Sequence, residues 1–260
     1  MMVTVGNRKG KDLVCILDMP RRVKSLPAVL VVHGFKGTSD ERHIRAISDS
    51  LTCAGFITLR PDLTKNPGNS YLDFSDMTYA QELLDLEDVF NYLLKIPQVN
   101  ISRIGIVGHS LGGMLSAELV AKRKEIKSQV LLSAVYDFRT MTDKVFKKSF
   151  AEFMRDFDKK GWTAVWSTTL AKYLKIKKAF YQDILFRTAD KFVEKISCPT
   201  LVVSSGSDES VSQEHADNYF KNISSKVKRT EIIKGSDHIY SGEALKSVTK
   251  LTTDWFLETL

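Results

Sequence analysis

The sequence predicts an open, mostly parallel α/β sheet, and two observations carry this prediction. Short apolar runs rich in β-branched residues alternate along the chain with amphipathic helical patterns. Several of the runs are unbroken, which is typical of strands covered by helices on both faces. The predicted strands are residues 13–17, 28–33, 56–60, 104–107, 129–133, 200–204 and 230–233.

Residues 3–5 are expected to add an antiparallel strand at the sheet edge, because the chain returns through Gly6 and Gly10 into residues 13–17. Three amphipathic stretches predict helices that cover the sheet. Their apolar positions are Leu83, Leu86, Val89, Phe90, Leu93 and Leu94; Leu111, Met114, Leu115 and Leu119; and Val248, Leu251, Trp255 and Phe256. The first of these helices should end before Pro97.

The composition is that of a folded globular protein. The 260 residues are 43% hydrophobic and 27% charged, which suits one large α/β domain. The cysteines Cys15, Cys53 and Cys198 are few, odd in number and widely spaced, so they form neither a disulfide framework nor a C-x-x-C metal pair. The first residues do not resemble a signal peptide, and the early apolar runs are too short to span a bilayer. We therefore expect a cytoplasmic protein without structural zinc.

The net charge of +7 is concentrated in one internal segment. Residues 139–195 hold 14 Lys and Arg against 7 Asp and Glu, whereas the rest of the chain is balanced. No nucleic-acid-binding motif accompanies this surplus, so we expect solvated basic faces and no nucleic-acid partner.

The alternation of strands and helices stops between residues 137 and 196. Residues 145–157 and 162–174 repeat their aromatic and aliphatic positions at helical spacing. These repeats predict a helical cap insertion, with residues 1–136 and 197–260 forming the core. Of 25 aromatic residues, 12 lie between Phe138 and Phe192. Such an insertion would cover a ligand site at the carboxyl ends of the strands; a small satellite core is the other interpretation.

Residues 108–112 read Gly-His-Ser-Leu-Gly and fit the pattern G-x-S-x-G. A predicted strand precedes them and a predicted helix follows, so Ser110 falls on a strand-to-helix turn. This turn strains the serine backbone and crowds the positions two before and two after it, which explains glycine at both. It also directs the N–H of Leu111 and the helix N-terminus at one point, where negative charge is favoured. The setting predicts a nucleophilic serine; a glycine-rich turn with an ordinary serine is the alternative.

A serine nucleophile needs a histidine base and an acid that orients it. His238 follows the last predicted strand, and Asp208 follows the strand before it. The order serine, acid, histidine is the one that sheets with this turn use. We therefore predict Ser110, Asp208 and His238 as catalytic residues, with Asp137 as the reserve acid and Asp237 as a weaker candidate. The other histidines are His33, His43, His109 and His215.

An oxyanion hole needs a second backbone donor, which should come from the loop after residues 28–33. Gly34 would let this loop approach the serine closely, and the N–H of Phe35 is the expected donor beside that of Leu111. A plain glycine turn is the alternative.

These motifs together resemble the α/β-hydrolases, over nearly the whole chain. The shared features are His33-Gly34-Phe35, the turn around Ser110, Asp208 with Val211, and Asp237-His238. Within that superfamily the chain is similar to small intracellular esterases of the serine aminopeptidase-like and cinnamoyl or feruloyl esterase-like group. Residues 74–78, Phe-Ser-Asp-Met-Thr, and 251–254, Leu-Thr-Thr-Asp, carry this second similarity.

The sequence departs from that group at two places. Ser205 stands where the family usually has glycine, and the insertion reads as helical and lysine-rich where characterised cinnamoyl esterases have a compact hairpin cap. The resemblance implies an α/β-hydrolase fold and a serine esterase.

The sequence therefore predicts a carboxylesterase-type serine hydrolase that cleaves esters of small to medium acyl or aryl groups through an acyl-enzyme. No metal or organic cofactor is expected. An acyl thioesterase, an amidase or peptidase, and a monoacylglycerol-type lipase with the basic insertion on a lipid surface would use the same residues. A non-catalytic binder on this fold is opposed by the complete set of Ser110, Asp208 and His238. A dehalogenase is disfavoured, because that chemistry wants a carboxylate at position 110.

Overall fold

A computed structural model describes residues 1–21, 24–65, 67–140, 149–167 and 170–260. Its strands are β1 (Met2–Gly6), β2 (Asp12–Asp18), β3 (Leu26–Val32), β4 (Ile57–Pro61), β5 (Val99–His109), β6 (Ile126–Leu132), β7 (Trp162–Ser167), β8 (Lys172–Lys177), β9 (Thr200–Ser205) and β10 (Lys228–Ile233). Its α-helices are α1 (Arg42–Cys53), α2 (Tyr79–Leu93), α3 (Leu111–Lys122), α4 (Phe150–Lys160), α5 (Lys178–Ile184), α6 (Gln213–Asn222) and α7 (Glu243–Thr259).

Among the described residues, the strands of the main sheet lie in the order β1-β2-β4-β3-β5-β6-β9-β10. From β4 to β10 every pair is parallel, whereas β1–β2 and β2–β4 are antiparallel. The predicted parallel α/β sheet and its antiparallel edge hairpin are thus confirmed. Because the carboxyl ends of β5, β9 and β10 reach the same edge, the loops after them can converge.

Helices cover both faces of this sheet, as the unbroken apolar runs indicate. In β3, Leu30 and Val32 pack in the layer beneath α2 and α3, while Val29 and Val31 pack on the opposite face with α1 and α7. Helix α2 begins at a Thr78 cap, whose hydroxyl accepts from Gln81 N at 3.1 Å.

The inserted segment is only partly helical, which corrects the sequence prediction. Residues 162–174 do not form a helix: β7 and β8 pair as an antiparallel two-stranded sheet. The alternation of apolar and polar residues that is typical of a strand is present in the sequence, where Leu174 and Ile176 alternate with lysines. Both apolar side chains are buried in the structure. The aromatic residues in this stretch also match helical spacing, and that match misled the assignment.

The other predicted helix of the insertion is confirmed only in part. Helix α4 covers residues 150–160, and residues 141–148 lie outside the described ranges. A capping box between Ser149 and Glu152 begins this helix, and Gly161 ends it with a φ of 73°. The insertion therefore combines helices with a hairpin and is not the purely helical segment that the sequence indicated.

The described residues contain no helix long and apolar enough to cross a membrane. Cys15, Cys53 and Cys198 are all unpaired.

Candidate active site

Ser110 lies on a sharp turn between β5, which ends at His109, and α3, which begins at Leu111. Its backbone has φ 56° and ψ −121°, a conformation that is strained for a residue with a side chain. A Cβ at Gly108 would lie 2.4 Å from the carbonyl oxygen of Gly112. A Cβ at Gly112 would lie 2.1 Å from the carbonyl oxygen of His33. Both positions must therefore be glycine, as the sequence predicts.

His238 and Asp208 form a continuous hydrogen-bonded chain with Ser110. The Nε2 atom of His238 lies 3.0 Å from the hydroxyl of Ser110, and its Nδ1 atom lies 2.7 Å from Oδ2 of Asp208. Since a carboxylate only accepts, Nδ1 carries the proton and Nε2 is the acceptor for the serine hydroxyl. The structure thus brings together the three side chains that the sequence selected.

The Asp208 carboxylate is fixed from both sides. Its Oδ1 atom accepts from the backbone N–H groups of Ser210 and Val211, each at 2.8 Å. Burial opposes the charge, but the hydrogen bond from His238 and these two N–H groups hold the pKa of Asp208 below its ordinary value. Asp208 is therefore ionised at neutral pH.

The two other candidate acids have other hydrogen-bond partners. Asp137 accepts from the guanidinium and backbone N–H of Arg139, with Nε and Oδ1 3.1 Å apart, and it lies beside His215. Asp237 accepts from Ser241 N at 2.7 Å. Of the three acids, Asp208 is the one bonded to the imidazole of His238.

Phe35 and Leu111, the two residues chosen for their backbone N–H groups, flank Ser110. A Cβ at Gly34 would lie 2.9 Å from Cβ of Ser110, so the loop after β3 passes against the serine. The loop turns back at once, since Gly37 N donates to Gly34 O at 3.0 Å. Leu111 is the first residue of α3, where backbone N–H groups have no partner within the helix.

A cluster of buried histidines, which sequence reasoning missed, supports this site. His109 Nε2 lies 2.8 Å from the carbonyl oxygen of His238, and His109 Nδ1 lies 3.1 Å from Nε2 of His43. A carbonyl only accepts, so His109 donates from Nε2 and accepts from His43. The sequence prediction gave His43 and His109 no role. Three of the five histidines, His33, His109 and His238, fall at predicted strand ends or in the turn around Ser110, a signal that could have found His109 but not His43.

These histidines are neutral. Burial, helped by the neighbouring imidazoles, lowers the pKa of His109 well below its ordinary value and that of His43 to about 3. Burial also lowers the pKa of His33, whose Nε2 accepts from Leu63 N at 3.1 Å.

A cavity of about 550 Å³ opens over Ser110. Its apolar wall includes Phe35, Leu111, Val135, Phe138 and Leu245.

The insertion lies directly over this cavity. Ser167 lines the cavity at the end of β7, and Lys36 Nζ donates to Trp166 O at 3.0 Å. Phe180, also within the insertion, stacks its ring on that of Phe35 with centroids 5.2 Å apart. The roof of the site is thus tied to the loop that carries Phe35.

The described residues contain no group of three or more His, Cys, Asp or Glu side chains that could hold a metal ion.

The model of the prolyl oligopeptidase family matches residues 43–260 of the sequence. The chain belongs to that family. A thermostable monoacylglycerol lipase of Bacillus sp. (strain H-257) is 26% identical over 219 residues, which cover 81% of this chain and 82% of the lipase. The family match spans the strand ends that carry Ser110, Asp208 and His238.

Solved esterase structures have the same fold as this chain. Est1E from Butyrivibrio proteoclasticus, with ferulic acid bound, is 27% identical and superposes with a TM-score of 0.86 over 99% of both chains. The esterase domain of a Rhodothermus marinus protein, 21% identical, shares the fold with a TM-score of 0.73 over 100% of this chain and 98% of that domain. The predicted α/β-hydrolase fold and esterase-like assignment are confirmed, and this family member is a hydrolase of the carboxylesterase type.

Proposed function

We propose that Ser110 is the nucleophile of a serine esterase that hydrolyses carboxylic esters through an acyl-enzyme. The observation that carries this proposal is the hydrogen-bonded chain from Asp208 through His238 to Ser110, with separations of 2.7 and 3.0 Å. This is the arrangement in which an oriented base can activate a serine hydroxyl.

In the first half-reaction, Ser110 Oγ attacks the ester carbonyl carbon while His238 Nε2 takes the hydroxyl proton. The carbonyl π electrons move to oxygen, and the N–H groups of Phe35 and Leu111 stabilise this oxyanion. The N-terminus of α3 adds favourable partial positive charge at the same place. Asp208 stabilises the imidazolium without taking its proton.

The tetrahedral intermediate then breaks its bond to the alcohol oxygen, and His238 returns the proton to that oxygen. In the second half-reaction, water loses a proton to His238 and attacks the acyl carbon. The intermediate collapses with loss of Ser110 Oγ, which takes back the proton from His238 and leaves the carboxylic acid.

The cavity favours acyl groups of small to medium size or aryl acyl groups. Its volume of about 550 Å³ suits a compact substrate, and Phe35 and Phe138 offer apolar ring surfaces beside Ser110. The ferulic acid bound to Est1E supports an aryl acyl group, since that protein matches this chain over nearly its whole length.

A panel of fluorogenic esters with one alcohol and varied acyl groups tests this proposal. We expect acetate, butyrate and aryl esters to be hydrolysed faster than esters of long fatty acids, with Ser110→Ala as the inactive control. Failure of every ester in the panel would overturn the proposal.

A lipase that acts on monoacylglycerols is the second candidate. The similarity to the Bacillus lipase over 219 residues favours it. A long-chain monoacylglycerol hydrolysed faster than an aryl ester would select this function. Matched thioester and anilide substrates would separate a thioesterase or a peptidase, which would use the same three residues.

We also propose that residues 137–196 form a cap that sets substrate choice, over a core of residues 1–136 and 197–260. Support comes from Phe138 and Ser167, which both line the cavity, and from the contact between Lys36 and Trp166.

A cytoplasmic location is proposed from the unpaired state of all three cysteines. Cell fractionation tests this location.

A further inference from the structure

The hairpin of β7 and β8 has one buried and one exposed face. Thr163, Val165, Leu174 and Ile176 point inward and are buried. The opposite side of each strand forms what we name the outer hairpin face. Its residues, in paired register, are Trp162 with Lys177, Ala164 with Lys175, and Trp166 with Tyr173.

Large aromatic side chains are unusually exposed on the outer hairpin face. Trp166 is 46% exposed and Tyr173 is 68% exposed. The two rings contact each other at 5.1 Å with an interplanar angle of 69°. Exposed neighbouring aromatic residues of this kind indicate a surface that meets a partner.

The same face is positively charged. Lys175 Nζ lies 4.7 Å from the ring centroid of Trp162, and Lys160 Nζ lies 5.6 Å from it. Neither β7 nor β8 contains an acidic residue. Lys177 is paired with Asp76, and Lys160 lies 3.9 Å from Asp156. Of these three lysines, Lys175 is therefore the one whose positive charge is least neutralised by a neighbouring carboxylate.

The outer hairpin face adjoins the mouth of the cavity. Ser167, the residue after Trp166, lines the cavity, and the carbonyl of Trp166 accepts from Lys36 beside Phe35. Ile239, which follows His238, also lines the cavity and is 49% exposed. A surface bound to this face would therefore lie close to the entrance over Ser110.

We propose that the outer hairpin face binds the surface of an anionic lipid membrane. Tryptophan and tyrosine favour the water–lipid boundary, because one part of each side chain is apolar and another is polar. Lysines beside them are attracted to anionic headgroups. A nucleic acid fits less well, since the edge-on contact of Trp166 with Tyr173 does not form a stacking platform for bases. This inference rests on the proposed function and adds to it the place where the esterase meets its substrates, the surface of a membrane.

Vesicle sedimentation with the full chain tests the proposal. The protein carries Ser110→Ala, so that binding is measured without turnover. We expect it to bind vesicles of phosphatidylglycerol and phosphatidylcholine at low salt, to bind pure phosphatidylcholine much more weakly, and to dissociate as salt is raised. Trp166→Ser with Tyr173→Ser should reduce partitioning at least about tenfold. Lys175→Gln should reduce it about fivefold.

A matched control changes the opposite end of the sheet. Lys95→Gln with Ile101→Ser removes one exposed lysine before β5 and one exposed apolar side chain near the start of β5, at the end far from Ser110. This variant should bind vesicles as the parent does. Absence of vesicle binding, an equal loss in the control, or binding of single-stranded DNA in place of vesicles would each overturn the proposal.

Turnover of a water-soluble ester separates this proposal from the proposed function. The Trp166→Ser and Tyr173→Ser variant, with Ser110 restored, should keep that activity within about twofold, because both side chains point away from the cavity. If the chain without substitutions hydrolysed no ester, the esterase proposal would be overturned, whereas the measured binding to vesicles would stand.

Discussion

The imidazole of His109 holds the backbone of His238: His109 Nε2 lies 2.8 Å from the carbonyl oxygen of that residue. His109 stands immediately before Ser110, so the strand that presents the serine also fixes the loop that presents the proposed base, His238. His43 completes the arrangement by donating to His109 from the first turn of α1. This support depends on neutral imidazoles, which burial maintains.

His109 is predicted to be a positioning residue. His109→Phe keeps a ring but removes the donor, and we expect kcat to fall about tenfold to 100-fold with little change in KM, because a displaced base is costly. His109→Gln places an amide N–H near the position of Nε2 and should recover most of kcat. Steady-state kinetics on a soluble ester measures both. Equal damage by the two variants, or a change confined to KM, would contradict this role.

Ser110→Ala is expected to lower kcat by about 10⁴-fold or more and to abolish labelling by a fluorophosphonate. The fold should remain, as judged by circular dichroism, since only one oxygen atom is removed. Ser116→Ala is the matched control: its hydroxyl is buried in the same helix and has no hydrogen-bond partner. Activity in Ser110→Ala comparable to that of the control would exclude Ser110 as nucleophile.

Asp208→Asn should lower kcat by about 10³- to 10⁴-fold, because the amide cannot hold the imidazole in the required tautomer and charge state. Asp137→Asn serves as the comparison and should change kcat by less than about threefold, since Asp137 pairs with Arg139 at the surface. Parallel measurements on one ester decide between the two. A greater loss in Asp137→Asn would refute the assignment of the acid.

Glu82 is predicted to make stability depend on pH. Burial, with the nearby Asp85 charge, raises the pKa of Glu82 to about 8. Between the ordinary value of 4.5 and 8, the folded chain keeps a proton that the unfolded chain has lost. This contribution to the free energy of unfolding is therefore complete below pH 4.5, decreases by about 1.4 kcal/mol per pH unit, and is lost above 8.

Glu82→Gln removes this decrease, so the stability of the variant relative to the unaltered chain should rise from pH 5 to pH 8. Urea unfolding at several pH values measures the difference. Glu243→Gln is the control, because Glu243 is exposed on α7, and its curve should run parallel to that of the unaltered chain. A parallel curve for Glu82→Gln as well would show that Glu82 ionises freely in the folded protein.

The sequence predicted the main sheet and the three converging side chains because each had a local signature. Buried strands read as apolar runs, and Ser110, Asp208 and His238 each follow such a run directly. The hairpin in the insertion was missed since Trp162, Val165, Trp166 and Tyr173 satisfy a helical period and a strand period at once, and only pairing with a partner strand decides between them.

The histidine cluster had no local signature. His43 and His109 are 66 residues apart in the chain and meet only because α1 lies beside the end of β5. The carbonyl of His238 accepts a hydrogen bond from His109, and this decides which ring nitrogen of His109 and of His43 is the donor. This carbonyl lies in a third segment of the chain, which the sequence around His43 and His109 does not indicate.

The insertion occupies a single gap in the sheet: β6 and β9 are parallel neighbours, with Gln129 beside Thr200, yet residues 137–196 lie between them in the chain. Ser110 lies before this gap, and Asp208 and His238 lie after it. The proposed machinery for bond cleavage and the proposed cap are therefore encoded in separate stretches of the gene. Insertions, deletions or exchanges within one continuous stretch can alter what the enzyme accepts while the reacting groups stay in place, which makes substrate range the property most open to evolutionary change in this chain.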